Sequence, residues 1–268
     1  MLTLYDHVES PCCQKVRLML AEKQIPFQAV WVDIEQGDNL QPSYLALNPK
    51  AEVPVLVHEV DGEKRVITQS TVICEYLEDC FSDRPLFPLE PAERALARSW
   101  ALRVDMGIHV PHTAAITFTI GMREPLLAML DTPEKKAAYL EAIKDPVNLE
   151  VRVQMLEQGF ESPYFYQALK AFDELFQIMQ AQLEQTRWLA GDSFSYADIV
   201  IAPYIKRCLL LDLQNMLAPY AKILPWYESL TRRESWQTEI AAKDAGFVAR
   251  FRAASEGAWQ RVEPLLTR

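Results

Sequence analysis

The chain has 268 residues, half of them apolar and about a quarter charged, enough to bury a sizeable core without disulfides or metal. Its 37 acidic against 27 basic side chains leave a net charge of −10, a field that repels phosphate backbones and argues against a nucleic-acid partner. The longest low-charge stretch, Val104 to Met122, contains Asp105, His109, Pro111 and His112, so no membrane span is expected. The N-terminus has neither basic flank nor apolar core of a secretion signal, and the five cysteines lack the spacing of a disulfide framework. Reduced thiols in the cytoplasm are the expectation.

Leu2 to Tyr5 reads as a short strand running into a polar loop. From Pro11 the period becomes helical, with Cys12, Cys13, Val16, Met19 and Leu20 on one face. Pro26 ends that helix and Phe27 to Val32 reads as a second strand. After a loop rich in Gly, Asp, Asn and Pro come a strand at Val53 to Val57, a turn at Asp61–Gly62 and a strand at Arg65 to Ile67. A helix then opens near Ser70 and carries Val72, Ile73, Tyr76 and Leu77. The order βαβ, link, ββα over residues 1–81 predicts a thioredoxin-like α/β domain.

Residues 82–92 hold three prolines and several charges, which suits a linker. Beyond Pro91 the pattern is helical, over roughly 91–125, 133–144, 165–186, 196–211 and 216–233. The expected second domain is therefore all-α and covers 92–268. Ser195 with Asp198 three residues on forms a capping box, and Phe194 is placed to staple against Ile199.

Taken as a set, four features resemble the cytosolic glutathione transferase superfamily over essentially the whole chain. They are Leu4-Tyr5 with Pro11-Cys12, Asn48-Pro49 with Val53-Pro54, Thr68-Gln69-Ser70, and the capping box after Trp188-Leu189-Ala190-Gly191-Asp192. Ser10-Pro11-Cys12 is similar to the Ser-Ser-Cys loop of zeta-like isomerases. The run Ser70 to Asp79 looks like the bacterial glutathione-dependent β-etherases, which also share an inserted segment, here about 145–165, and an extended tail, here about 235–268. Omega-like members carry a cysteine where this chain has Ser10.

The resemblance implies a glutathione site with glutathione as co-substrate and no metal. A free thiol with a pKa near 8.5 is only a few per cent ionised at neutral pH, so such chemistry needs a thiolate stabiliser. A hydroxyl at a helix N-terminus serves, and Ser10 sits there; on the residues alone it is equally a helix cap. Tyr5 is the rival donor. Val53 and Pro54, cis in the superfamily, are expected to orient the cysteinyl backbone, Gln69 and Ser70 to clamp the γ-glutamyl end, and Asn39 to lie near the glycyl end. Val8, His109 and His112 are candidates for the wall of a second-substrate site, with Asp105 a further possibility one turn before His109. Arg17 is expected to support the first helix, and Cys12 and Cys13 to be buried rather than to form a redox pair.

The resulting expectation is a transferase that activates glutathione against a hydrophobic electrophile, with ether cleavage as a lyase-like variant. A zeta-like isomerase is the alternative, as is a non-catalytic ligand- or partner-binding member of the fold. A homodimer is expected from the resemblance.

Overall fold

The computed structural model describes residues 1–266. Its contacts divide the chain into two compact units: 1–101 with 190–203 and 228–245, and 102–189 with 204–227 and 246–268.

The first unit is built on a four-stranded sheet. Strand β1 (Leu2–Asp6) leads through helix α1 (Pro11–Glu22) to β2 (Gln28–Trp31), and, past a short helix α2 (Pro42–Leu45), β3 (Val55–Val60) and β4 (Glu63–Thr68) form a hairpin. The spatial order is β2-β1-β3-β4. β1 runs parallel to β2, with Thr3 opposite Gln28, and antiparallel to β3, with Tyr5 opposite Val55. The hairpin turns on Asp61 and Gly62, both at positive φ (52° and 82°), the conformation a tight two-residue turn requires. β3 starts two residues later than the pattern suggests, because Val53–Pro54 is a cis peptide standing ahead of the ladder.

Helix α1 has no solvent face: every residue from Pro11 to Leu20 is buried. Pro11 occupies its first turn, where a missing N–H is harmless. Burying Arg17 requires a compensating anion, and Asp6 at the end of β1 provides it, both carboxylate oxygens accepting from Arg17 Nη1 at 2.7 and 2.8 Å. At the other end of α1, Glu22 accepts a bidentate pair from Arg233 at 2.6 and 2.7 Å. Residues 233–244 thus cover the polar side of α1. Helix α3 (Ser70–Cys80) packs against α1 and places Glu78 to accept from Lys23 Nζ at 2.7 Å and from the backbone N–H groups of Leu86 and Phe87. The proline-rich 82–92 segment is therefore tied down through a buried carboxylate. The capping box appears as read: Ser195 N–H donates to Asp198 Oδ2 at 2.9 Å, and Ala197 N–H to Ser195 Oγ at 3.3 Å, at the start of a helix over Tyr196–Leu210.

The second unit is helical. A 21-residue helix, Pro163–Leu183, buries Phe165, Ala168, Leu169, Phe172, Leu175, Phe176, Met179 and Leu183, the three-and-four spacing of an amphipathic stripe. Ser162 caps it, accepting from Tyr164 N–H. The inserted segment folds as a helix over Pro146–Gln158, started by Asp145 and closed by Arg123, which donates to the Met155 and Leu156 carbonyls. The tail holds helices over Ala245–Ser255 and Ala258–Leu266. Gly121 lets Phe251 approach: a Cβ there would meet the ring at 2.5 Å. The expected continuous helix over 91–125 is interrupted. Val110 is extended (φ −124°, ψ 131°) before the cis bond to Pro111, since a residue preceding proline is pushed out of the helical region.

Candidate functional site

Three chain segments meet at one end of the sheet in the first unit. The register places the end of β1 beside the start of β3, and Val55 opposite Thr68 at the end of β4. The loop after β1, the Val53–Pro54 peptide and the start of α3 therefore share that edge.

The first segment is the loop 7–10. His7 stacks on Trp31 with centroids 4.7 Å apart, and its Nδ1–H donates to the Val32 carbonyl at 3.0 Å. Burial pushes its pKa below 6.5, against the opposing pull of the Val32 carbonyl and nearby carboxylates. Ser10 N–H closes a turn on the His7 carbonyl at 3.0 Å. Ser10 itself is half-buried and caps α1, its Oγ accepting from Cys13 N–H at 3.4 Å. The hydroxyl thus stands at a helix N-terminus, where partial positive charge favours an anion. Val8, also half-buried, is held by its carbonyl, which accepts from Arg17 Nη2 at 2.9 Å and Gln14 Nε2 at 3.1 Å.

Cys12 and Cys13 are buried, as expected. Burial, reinforced by Asp6, raises the Cys13 thiol well above its ordinary value, outweighing the opposing His7 N–H, Arg17 and Ser10 hydroxyl. That environment suits an inert structural thiol. Tyr5 packs edge-on to Tyr44 at 6.0 Å, against the cluster of Val32, Val55 and Val57.

The second segment precedes Pro54. Asn39 Nδ2 donates to the Ala51 carbonyl at 2.8 Å, and Tyr44 Oη and Asn48 Nδ2 donate to the Glu52 carbonyl at 2.7 and 2.8 Å. These bonds fix the backbone on which Val53 sits, and Val53's own N–H and C=O make no hydrogen bond among the described residues. The third segment is Gln69–Ser70. Gln69 adopts φ 69°, ψ 113°, a sparsely populated conformation for a residue with a side chain, which costs on the order of 1–3 kcal/mol. Ser70 is buried at the first turn of α3. Gln69 Nε2 donates to Glu52 Oε2 at 3.0 Å, joining the second and third segments.

His109, His112 and Asp105 lie in the second unit, in a π-helical stretch over Asp105–Thr113. His109 sits edge-on to Tyr204 with centroids 6.0 Å apart, and His112 Nδ1–H donates to the Gly107 carbonyl at 2.6 Å. Among the described residues no group of three or more His, Cys, Asp and Glu is arranged to hold a metal ion. A cavity of about 320 Å³ beside Phe87, Leu89, Phe194 and Ser195 contains none of the candidate residues. Its wall includes the anchored 85–90 segment. Sequence reasoning missed Glu52, Gln14 and Asp244; the position of Glu52, directly before Val53, was the available signal for the first.

The strand order and the helices that follow define a thioredoxin-like domain accompanied by helices. Residues 9–80 match the glutathione S-transferase N-terminal domain and residues 137–229 the glutathione S-transferase C-terminal domain. The chain is 41% identical over 204 residues to glutathione S-transferase 1 of Dianthus caryophyllus, covering 76% of each chain. It is 37% identical over 117 residues to maleylacetoacetate isomerase of Pseudomonas aeruginosa, covering 43% of this chain and 54% of that one. The solved structure of beta-etherase LigF from Sphingobium sp. strain SYK-6 superposes with a TM-score of 0.77 at 23% identity, over 90% of this chain and 99% of that one, a likeness of fold. The chain belongs to the glutathione S-transferase family, whose members use glutathione as co-substrate.

Proposed function

We propose that this glutathione S-transferase ionises the thiol of glutathione with Ser10 and directs it at a hydrophobic electrophile. The supporting observation is the convergence of a capping hydroxyl, the free backbone of Val53 and the helix start at Gln69–Ser70 on one sheet edge. Ser10 donates its hydroxyl hydrogen to the thiolate sulfur while the N-terminus of α1 adds its field. Val53 pairs its N–H and C=O with the cysteinyl backbone like an added strand, with Pro54 completing that wall. Gln69 and the first N–H groups of α3 hold the γ-glutamyl carboxylate, with the Ser70 hydroxyl. Asn39 acts at the glycyl end through the Ala51–Glu52 loop that it anchors. Val8, in the loop before Ser10, serves the electrophile. The thiolate attacks the electrophilic carbon, the bond to the leaving group breaks, and the leaving group departs with the electron pair and takes a proton from solvent.

Ether cleavage, with an aryloxide as leaving group, is favoured over simple conjugation by the folded helix in 145–165 and the helical tail, together with the likeness to the β-etherase structure. Isomerisation, with glutathione regenerated, is the reading suggested by the maleylacetoacetate isomerase relative. The enzyme works as a cytoplasmic homodimer. Product analysis separates the chemistries: a thioether with released phenol, a thioether with another leaving group, or unchanged glutathione. Ser10→Ala should lower turnover about 10²-fold with the protein still folded. Full activity in that variant, with activity lost in Tyr5→Phe, would transfer the role to Tyr5. Retention on immobilised glutathione without turnover of any electrophile would make the protein a binding member of the family.

A further inference from the structure

We infer that Asp244, about 230 residues from the catalytic loop, is a positioning residue for it. This inference rests on the assignment of the loop 7–10 as the place where the thiol is activated. The geometry is a closed ring of four groups. Gln14 Nε2 carries two hydrogens; one goes to the Val8 carbonyl at 3.1 Å, and the nitrogen also stands 3.4 Å from Asp244 Oδ2. Arg17 Nη2 likewise carries two; one goes to the Val8 carbonyl at 2.9 Å, and Asp244 Oδ1 lies 3.9 Å away. Val8 C=O thus accepts from both Gln14 and Arg17, and the Asp244 carboxylate accepts from Gln14 while pairing electrostatically with Arg17. Gln14, Arg17 and Asp244 are each no more than 1% exposed, so water does not compete for these bonds.

An –NH₂ group is planar, so fixing the direction of one hydrogen fixes the other. Asp244 therefore orients the Gln14 amide onto the Val8 carbonyl and places its charge beside the Arg17 guanidinium. That carbonyl sits two residues before Ser10, inside the turn closed by Ser10 N–H on His7. Arg17 is held independently by Asp6 and by the Glu239 carbonyl at 3.1 Å, so the loss of Asp244 is felt through Gln14. A second tie between the same C-terminal segment and α1, Arg233 with Glu22, does not touch the loop. Catalysis depends on sub-ångström placement of the activating donor, and a displacement of about 1 Å can cost on the order of 10²-fold. The γ-glutamyl clamp at Gln69 and Ser70 lies on another segment and is unaffected.

The test is a set of variants in the full chain: Asp244→Asn, Gln14→Met, their double, and Glu22→Gln as the control for loosening the C-terminal segment. Steady-state kinetics with glutathione and a chromogenic aryl halide give kcat and the glutathione KM, and thermal denaturation gives Tm. Asp244→Asn and Gln14→Met should each lower kcat about tenfold with the glutathione KM unchanged. The double variant should be no worse than the poorer single one, because both act on one carbonyl. Glu22→Gln should lower Tm while keeping kcat. If Asp244→Asn lowers Tm as the control does and leaves kcat intact, its role is structural and the inference fails. If Asp244→Asn does not fold, Gln14→Met decides alone, and full kcat there overturns the ring. Ser10→Ala separates the two readings. An active Ser10→Ala beside a slow Asp244→Asn removes Ser10 but keeps the positioning of the loop; the reverse pair keeps Ser10 and removes Asp244.

Discussion

The amide of Gln69 donates to the carboxylate of Glu52 across 3.0 Å, joining the helix start that follows β4 to the residue that precedes Val53. Two segments proposed for neighbouring parts of one tripeptide are thereby joined to each other. The strained backbone of Gln69 fits this arrangement, since it is retained where two contacts must be met together.

Gln69→Ala and Ser70→Ala should therefore each weaken glutathione binding more than they slow the chemistry. A clamp on the far end of the tripeptide acts equally in ground and transition states, so the glutathione KM rises while kcat holds. Glu52→Gln should produce a smaller rise in the same direction, because it weakens only the charge-assisted bond that orients Gln69. A fall in kcat at constant KM in the first two variants would refute the clamp.

Ser10→Cys should shift the protein toward thiol transfer. A thiol at the N-cap of α1 sits in the helix field that lowers thiol pKa. Its thiolate attacks a glutathione mixed disulfide, releasing the substrate thiolate and forming one new S–S bond; a second glutathione then frees it. Cys13 lies one turn on, but burial keeps it protonated and a poor resolving thiol, so the glutathione adduct should accumulate and be visible by mass spectrometry. An unmodified, inert thiol in a folded variant would show that the side chain before Pro11 does not face the glutathione sulfur.

Arg17→Met should be among the most destabilising single changes in the first unit. It strips Asp6 of its buried counter-charge, leaves the Glu239 carbonyl without its Arg17 donor and leaves the Val8 carbonyl with Gln14 alone. Breaking a buried pair from one side costs about 3–5 kcal/mol. Urea unfolding should show the loss, and Arg17→Lys should recover only part of it, since an ammonium cannot reproduce the guanidinium's planar set of bonds.

His7 makes stability depend on pH in a predictable direction. Its folded pKa lies below 6.5 because burial disfavours the charged ring, so the unfolded chain binds the proton more readily. The stability it contributes is complete above pH 6.5 and is lost as pH falls from there toward its folded pKa. Replacing His7 with Gln should flatten the dependence of Tm on pH just below 6.5. A slope unchanged from the parent protein would assign the acid loss to other groups.

Much of the architecture was legible because it is written locally. Asp61–Gly62 declared its hairpin, Pro11 and Pro26 bracketed α1, and Ser195 with Asp198 announced a helix start. The break at Val110 was less visible, since the apolar period runs through it and only Pro111 marks the stop. The roles of Gln14 and Asp244 could not be read at all. A polar residue on the face of an apolar helix ordinarily means solvent, and here it means a partner on a segment more than two hundred positions away. Glu52 was overlooked for the opposite reason: its neighbours Val53 and Pro54 drew attention to backbone geometry, while its side chain takes part through Gln69.

The enclosure of α1 has a practical corollary for the thiols. Cys12, Cys13, Cys74 and Cys208 are buried, and Cys80, at the end of α3, is exposed. A maleimide reagent should therefore modify the native protein at a single site, and reach five in denaturant. Cys80 supplies a ready attachment point for a fluorophore without mutagenesis. The appearance of the other four adducts then becomes a clock for unfolding, with the two on α1 timing the opening of the helix that Ser10 caps.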